Sequence, residues 1–122
     1  MAKTIPVPWI QWRRFQVAGV VLEEKTHAPL AGYGVQAFDK DVVSDDFLGE
    51  STTDEAGRFE IRFTDADFKD ALESQPDIYL VVLAPDTAQP VHDTRHAIRR
   101  DASQDEYFEI SIPARESEDP SR

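Results

Sequence analysis

The chain has 122 residues, a length that suits one domain built around a single core. Its 24 acidic residues outweigh 13 basic ones and give a formal net charge of −11. This excess argues against nucleic acid or an anionic membrane as a partner, because both need a basic surface. Cysteine is absent, which excludes disulfides and thiolate metal sites.

The first 14 residues differ in composition from the rest of the chain. They hold two prolines, both tryptophans and only basic charges. Tryptophan and arginine are enriched at interface hot spots, so this arm is predicted to bind a protein partner or a second copy of the chain. Folding of the tryptophans back over a sheet edge of their own domain is the alternative. The predicted contact residues are Trp9, Trp12, Arg13 and Arg14.

Alternation of apolar and polar residues recurs between residues 15 and 113, with turn residues between the runs. A polar tail, 114–122, follows. The alternation predicts an all-β fold, a seven-stranded antiparallel β-sandwich, and a short helix over 64–74. The predicted strands are 15–22, 33–39, 48–53, 58–63, 78–83, 92–99 and 107–112.

Two glycines and one strand make this prediction specific. Gly19 lies inside the first strand and indicates a bulge or a close backbone approach. Gly57 closes the turn before the fourth strand, where it can adopt a positive φ. In that strand Phe59, Ile61 and Phe63 are expected to face the core, with the charged residues between them on the outside.

Residues 17–82 carry short motifs in a fixed order: VAGVV at 17–21, PLAGYGV at 29–35, DKD at 39–41, DDFLG at 45–49, TDEAGRF at 53–59 and PDIY at 76–79. In these motifs the chain resembles the transthyretin-like (prealbumin-like) sandwich. Its beginning is also similar to carboxypeptidase regulatory-like domains. The resemblance implies a transthyretin-like β-sandwich whose end loops are rigid.

Enzymes of this superfold provide a test of activity. Hydroxyisourate hydrolases end in Tyr-Arg-Gly-Ser, whereas this chain has Ile-Ser-Ile-Pro at 110–113. Intradiol dioxygenases need two tyrosines and two histidines on iron; His92 and His96 are present without a matching tyrosine pair. Zinc at these two histidines is disfavoured, because no nearby side chain completes four ligands. The sequence therefore predicts that the chain is not an enzyme.

The loop after the second strand concentrates four carboxylates, and close carboxylates repel one another unless water, backbone donors or a cation screens them. The loop resembles one calcium loop of a C2 domain, and calcium prefers oxygen ligands of this kind. Capping of backbone turns by solvated aspartates is the alternative. The candidate calcium ligands are Asp39, Asp41, Asp45 and Asp46.

These features together predict a non-catalytic, transthyretin-like module for protein binding or assembly, with contacts through the arm and the sheet edges. The predicted cofactor is none, apart from candidate calcium. A calcium-binding adhesion or regulatory module is one alternative, and a hydroxyisourate-hydrolase-like enzyme is a disfavoured one. No segment has the length of a membrane span and no signal peptide is recognisable, so the cytoplasm is the default expectation, with secretion by another route left open.

Overall fold

Seven strands form two sheets in the computed structural model, which describes residues 12–68 and 75–114. This confirms the predicted seven-stranded all-β sandwich. The strands are β1 (Arg14–Glu23), β2 (Gly34–Asp39), β3 (Asp46–Thr52), β4 (Arg58–Thr64), β5 (Ile78–Leu83), β6 (Pro90–Asp93) and β7 (Asp105–Ile112).

One sheet has the strand order β4-β1-β7, and the other has the order β3-β2-β5-β6. β1 pairs antiparallel with β4 but parallel with β7, so the prediction of a wholly antiparallel sandwich is corrected for this pair. The physical reason is the long connection from β6, which crosses to the other sheet and lets β7 start beside the beginning of β1. Alternation along a strand does not report strand direction, which explains the error.

The core lies between the sheets and follows the predicted alternation. Phe59, Ile61 and Phe63 of β4 are all buried, while the residues between them are exposed. Phe63 stacks on Phe15 of β1 with ring centroids 5.2 Å apart, and Phe68 meets both rings edge-on. The predicted register of β4 is therefore confirmed.

Both glycine predictions are confirmed by the backbone. A Cβ on Gly19 would lie 2.2 Å from the carbonyl oxygen of Phe108, so β1 and β7 approach too closely there for any side chain. Gly57 has a φ of 75° in the turn between β3 and β4. The Asp54 carboxylate accepts from the N–H groups of Ala56 and Arg58 at 2.9 Å each, which fixes this turn.

Two predicted elements differ from the structure. The helix over 64–74 begins as a single 3-10 turn, Asp65–Asp67, with Thr64 and Asp67 as a capping box, and 69–74 lie outside the described residues. The predicted strand 92–99 is wrong beyond Asp93, because a 3-10 turn, Arg95–Ala97, follows β6. Within 12–68 and 75–114 no helix is long and apolar enough to cross a membrane.

Replacing Phe63 by Ala should lower the free energy of unfolding by about 3–5 kcal/mol, because it removes a stacked, buried ring from the core. The control is Arg62→Ala in the same strand, whose exposed ion pair with Glu60 should contribute less than about 1 kcal/mol. Urea denaturation of both variants measures the difference. A more damaging Arg62→Ala would place the strand one residue out of register.

Candidate functional site

Asp39, the first of the four candidate calcium ligands, is fully buried at the end of β2. Its Oδ1 accepts a hydrogen bond from the Asp77 N–H at 2.8 Å, and the Lys40 N–H donates to the Asp77 carbonyl at 2.8 Å. A buried carboxylate is tolerated when hydrogen bonds replace its water. Asp39 therefore ties β2 to the segment that precedes β5, and it lies inside the fold and not in the loop.

Asp45 organises the acidic loop between β2 and β3. Its Oδ1 accepts from the Asp41 N–H at 2.9 Å and lies 3.5 Å from the Lys40 ammonium, while its Oδ2 accepts from the Tyr79 hydroxyl at 2.5 Å. The Asp41 backbone donor, then the Tyr79 hydroxyl, lowers the pKa of Asp45, and burial opposes this shift. Asp45 is thus held ionised by donors from its own protein.

The remaining two aspartates, Asp41 and Asp46, have separate structural roles. The Asp41 carboxylate accepts from the Val42 N–H at 2.5 Å, a local turn contact. Asp46 is the first residue of β3 and pairs with Asp39 in register. Across the described ranges, no group of three or more acidic, histidine or cysteine side chains could hold a metal ion. The structure therefore does not assemble the four aspartates into one ligand set, and calcium binding stays a prediction.

A second feature, which the sequence analysis missed, surrounds Tyr79 on the outer face of the four-stranded sheet. Its ring stacks on Phe38 at 5.3 Å between centroids, and the Arg95 guanidinium lies 4.6 Å above it. Phe47 extends the row, edge-on to Phe38 and 53% exposed. We call Phe47, Phe38, Tyr79 and Arg95 the aromatic row. Each member comes from a different strand or turn, so the row spans the sheet.

Electrostatics reinforce the aromatic row. Burial, with the Asp45 carboxylate next, raises the pKa of Tyr79, which keeps its hydroxyl protonated as a donor. The Tyr79 hydroxyl raises the pKa of Arg95, and the Arg95 backbone N–H is the main cause that lowers the pKa of Asp93. Arg95 also pairs with the Asp93 carboxylate at 3.1 Å. Carboxylate, phenol and guanidinium therefore form one connected polar group at this end of the sheet.

His92 and His96 lie on the opposite side of β6 from Arg95. Their ring centroids are 6.4 Å apart, and both line a cleft of about 290 Å³ between β6 and β7. Arg99 closes the cleft; its guanidinium lies 3.8 Å from the Phe108 ring centroid and binds the Glu106 carboxylate at 3.0 Å. Because Arg99 already has an anionic partner, this cleft presents little free positive charge.

The residues predicted to contact a partner are only partly described. Trp9 lies outside the described residues. Trp12 is 56% exposed, and its role as a partner contact stays a prediction. The Arg13 N–H and guanidinium bind the two Asp65 carboxylate oxygens at 3.0 and 3.1 Å, and Arg14 is the first residue of β1.

Comparisons with known proteins bear on the fold and on the function. No protein-family model matches the chain, and no curated protein matches it at a significant level. A solved 9R-lipoxygenase from Cyanothece PCC8801 matches 83% of this chain at 26% identity with a TM-score of 0.61. The dioxygenase domain of a dioxygenase carbohydrate-binding protein fusion from Streptomyces sp. SirexAA-E matches 90% of this chain and 86% of its own at 15% identity with a TM-score of 0.49.

The match to the lipoxygenase corrects the functional prediction. This chain spans only 17% of the lipoxygenase chain. The expectation of a non-catalytic binding or assembly module rested on the lack of a recognisable catalytic motif. It is contradicted, because the solved chain that the sandwich resembles is an enzyme.

Removing the charge of Asp45 or the hydroxyl of Tyr79 should destabilise the protein through the same hydrogen bond. Asp45→Asn and Tyr79→Phe should each cost about 1–2 kcal/mol at neutral pH, and the double variant should cost less than the sum. Chemical denaturation of the four proteins measures the coupling, with Asp46→Asn as the neighbouring control. Additive losses would show that the contact contributes nothing.

The pH dependence follows from the direction of the Asp45 shift. The folded-state pKa is lowered, so the stability that Asp45 contributes is present above its unfolded-state pKa and is lost as pH falls through the folded-state pKa. Asp45→Asn should therefore flatten the acid limb of a plot of melting temperature against pH. An unchanged acid limb would contradict this assignment.

Calcium provides a separate test of the loop. If the loop bound calcium, a concentration about a hundredfold above the dissociation constant would stabilise the fold by about 2.7 kcal/mol. Because Asp45 already accepts from three donors, we expect millimolar calcium to leave the melting temperature unchanged relative to a chelator control. A clear rise that Asp41→Asn abolishes would instead support the calcium prediction.

Proposed function

We propose that this chain is the β-sandwich part of an oxygenase related to the lipoxygenases and that it takes part in lipid oxygenation together with the rest of such an enzyme. The observation that carries the proposal is the match to the Cyanothece 9R-lipoxygenase over 83% of this chain, at a TM-score of 0.61. Its 17% share of that chain supports a role as one unit, with the remaining parts supplied by an adjoining segment or a separate chain.

The surface best suited to meet the rest of the enzyme is the aromatic row. Aromatic and arginine side chains supply large contact area and are enriched at interface hot spots. Tyr79 is only 2% exposed and acts as the support of the row: it stacks on the half-buried Phe38 and is fixed by Asp45. The accessible area comes from Phe47 and Arg95. Little side-chain entropy remains to be lost when a partner covers such a row, and Phe47 offers its exposed ring.

The sandwich is, within this proposal, of the transthyretin-like kind. Support comes from the motifs that carry the resemblance, because they fall on strands and turns of the sandwich. VAGVV at 17–21 lies in β1, TDEAGRF at 53–59 forms the turn into β4, and PDIY at 76–79 leads into β5.

A domain exchange tests the proposed function. The matching segment of the Cyanothece 9R-lipoxygenase is replaced by this chain, and oxygen uptake with the lipid substrate of that enzyme is measured. We expect the exchanged enzyme to retain activity well above that of a version in which the segment is replaced by a flexible linker. A second control carries Phe63→Ala in the inserted sandwich and should fall to the level of the linker version, because the core is lost.

One outcome of the domain exchange would contradict the proposed function. If the exchanged enzyme is soluble and its sandwich melts cooperatively, but its oxygen uptake does not exceed that of the linker version, the proposal is wrong. If the exchanged enzyme is active, a Phe47→Asp variant separates the two parts of the argument: activity that persists in this variant would retain the oxygenase role and remove the aromatic row from it.

A further inference from the structure

Two neighbouring valines in the middle of the acidic loop, between β2 and β3, are almost completely exposed. Val42 is 98% exposed and Val43 is 93% exposed. Single exposed apolar residues are common on protein surfaces, but an adjacent pair at a loop end forms a small apolar knob. The Asp41 carboxylate fixes the Val42 N–H, and Asp45 fixes the Asp41 N–H, so the knob is held outward by its own loop. We call Val42 and Val43 the valine tip.

A groove at the same end of the sandwich has the complementary character. It encloses about 660 Å³, and Phe15 and Phe63 form its apolar floor. Arg14 and Arg62 stand on its rim, Arg62 in an exposed 3.0 Å pair with Glu60, and Asp105 is the acidic residue among its lining side chains. In a chain of net charge −11, a groove with two arginines and an apolar floor is a local exception. We call it the arginine groove.

The valine tip and the arginine groove share one end of the molecule. β3 and β4 lie in different sheets and face each other across the core. A Cβ at Gly49, near the start of β3, would lie 2.8 Å from the Ile61 side chain of β4, and the 3-10 turn that follows β4 contacts β3. Hydrogen bonds of 2.8 Å join the base of the loop to the groove in steps, from Lys40 N–H to Asp77, from Ala102 N–H to Pro76, and from the Gln104 side chain to the Arg14 carbonyl.

We propose that this chain pairs with a second copy of itself, the valine tip of each copy entering the arginine groove of the other. Charge complementarity selects this occupant: Asp41 and Asp46 lie in and next to the loop that carries the tip, and two arginines rim the groove. Because both surfaces lie at one end, a two-fold axis brings each tip to the partner's groove at the same time.

The expected association is weak and specific. Two valines and a polar rim on each side bury less than the ~1,000 Å² that a stable interface needs, so the dimer forms only at high protein concentration. The aspartate-to-arginine contacts make it sensitive to salt, because exposed charge pairs are screened within ~8 Å at physiological ionic strength. The pairing does not depend on the proposed oxygenase role.

Sedimentation equilibrium of the full chain over a hundredfold range of concentration tests the proposal. We expect the wild-type protein to shift from monomer to dimer. Val42→Ser combined with Val43→Ser should weaken dimerisation about tenfold or more, because it removes the apolar knob and keeps the backbone donors. Arg62→Glu should have the same effect from the groove side. Val91→Ser is the control, an exposed valine of β6 at the other end of the sandwich, and should change nothing.

Mixing the two defective proteins gives the decisive measurement. The tip variant keeps an intact groove and the Arg62→Glu variant keeps an intact tip, so a mixed dimer regains one of the two contacts while neither protein alone has any. We expect the mixture to dimerise more strongly than either protein by itself. All variants should keep the wild-type melting temperature, which shows that the fold is intact.

Four results would overturn the proposal: a wild-type chain that stays monomeric throughout, a dimer that neither variant weakens, weakening by only one of them, or a mixture that does not recover. If removal of residues 1–11 abolishes the dimer while the tip variant does not, the predicted arm makes the contact and the tip does not.

Discussion

The buried carboxylate of Asp39 stands where three parts of the chain meet at one end of the sandwich. It holds the Asp77 N–H, while the Asp77 carboxylate accepts from the Asp101 N–H at 2.9 Å, and the Ala102 N–H donates to Pro76. The end of β2, the segment before β5 and the segment before β7 are thereby joined. Loss of the Asp77 N–H would leave the buried Asp39 carboxylate short of a donor, at a cost of about 1–3 kcal/mol or more.

Much of this end of the molecule follows from that joint. The segment around Asp101 and Ala102 fixes where β7 starts, which is beside Gln16 near the start of β1, and so the β1–β7 pair runs parallel. The same joint anchors Lys40, from which the acidic loop projects. The joint therefore fixes the base of the acidic loop and the start of β7 beside the arginine groove, while Asp41 and Asp45 hold the valine tip itself.

Period-two alternation predicts most strands and the core row of β4, and it also places one charged residue. Val35 and Ala37 face the core, so Asp39, two residues later, faces it as well, although its acidic neighbours in sequence favour a loop ligand. Tyr79 alternates with Ile78 and Leu80 and so faces outward, but the continuous apolar run concealed this. Strand direction and the pairing of Arg95 with Tyr79 depend on distant segments, and local patterns contain no record of them.

The short turn after β6 explains how one segment serves two surfaces. Thr94 makes the last contacts with β5. Its hydroxyl accepts from the Leu80 N–H at 2.9 Å, and its own N–H donates to the Leu80 carbonyl. This ends the strand and starts a 3-10 turn, in which successive side chains diverge. Arg95 consequently joins the aromatic row, while His96 lines the cleft on the other side. In a longer β6 of regular register Arg95 would still lie opposite Tyr79, but His96 would lie opposite Ile78.

The two proposed contacts use different surfaces and place different demands on charge. The aromatic row belongs to the outer face of the four-stranded sheet, whereas the valine tip and arginine groove belong to one end. Asp45 is common to both, because it holds Tyr79 and organises the loop that carries the tip. Two copies of a chain with a net charge of −11 repel each other at long range, and the arginine groove reverses this locally. Repulsion of this kind favours the one orientation that brings aspartates to arginines, which makes a weak contact selective. Negative charge elsewhere on the surface therefore opposes other pairings without strengthening this one.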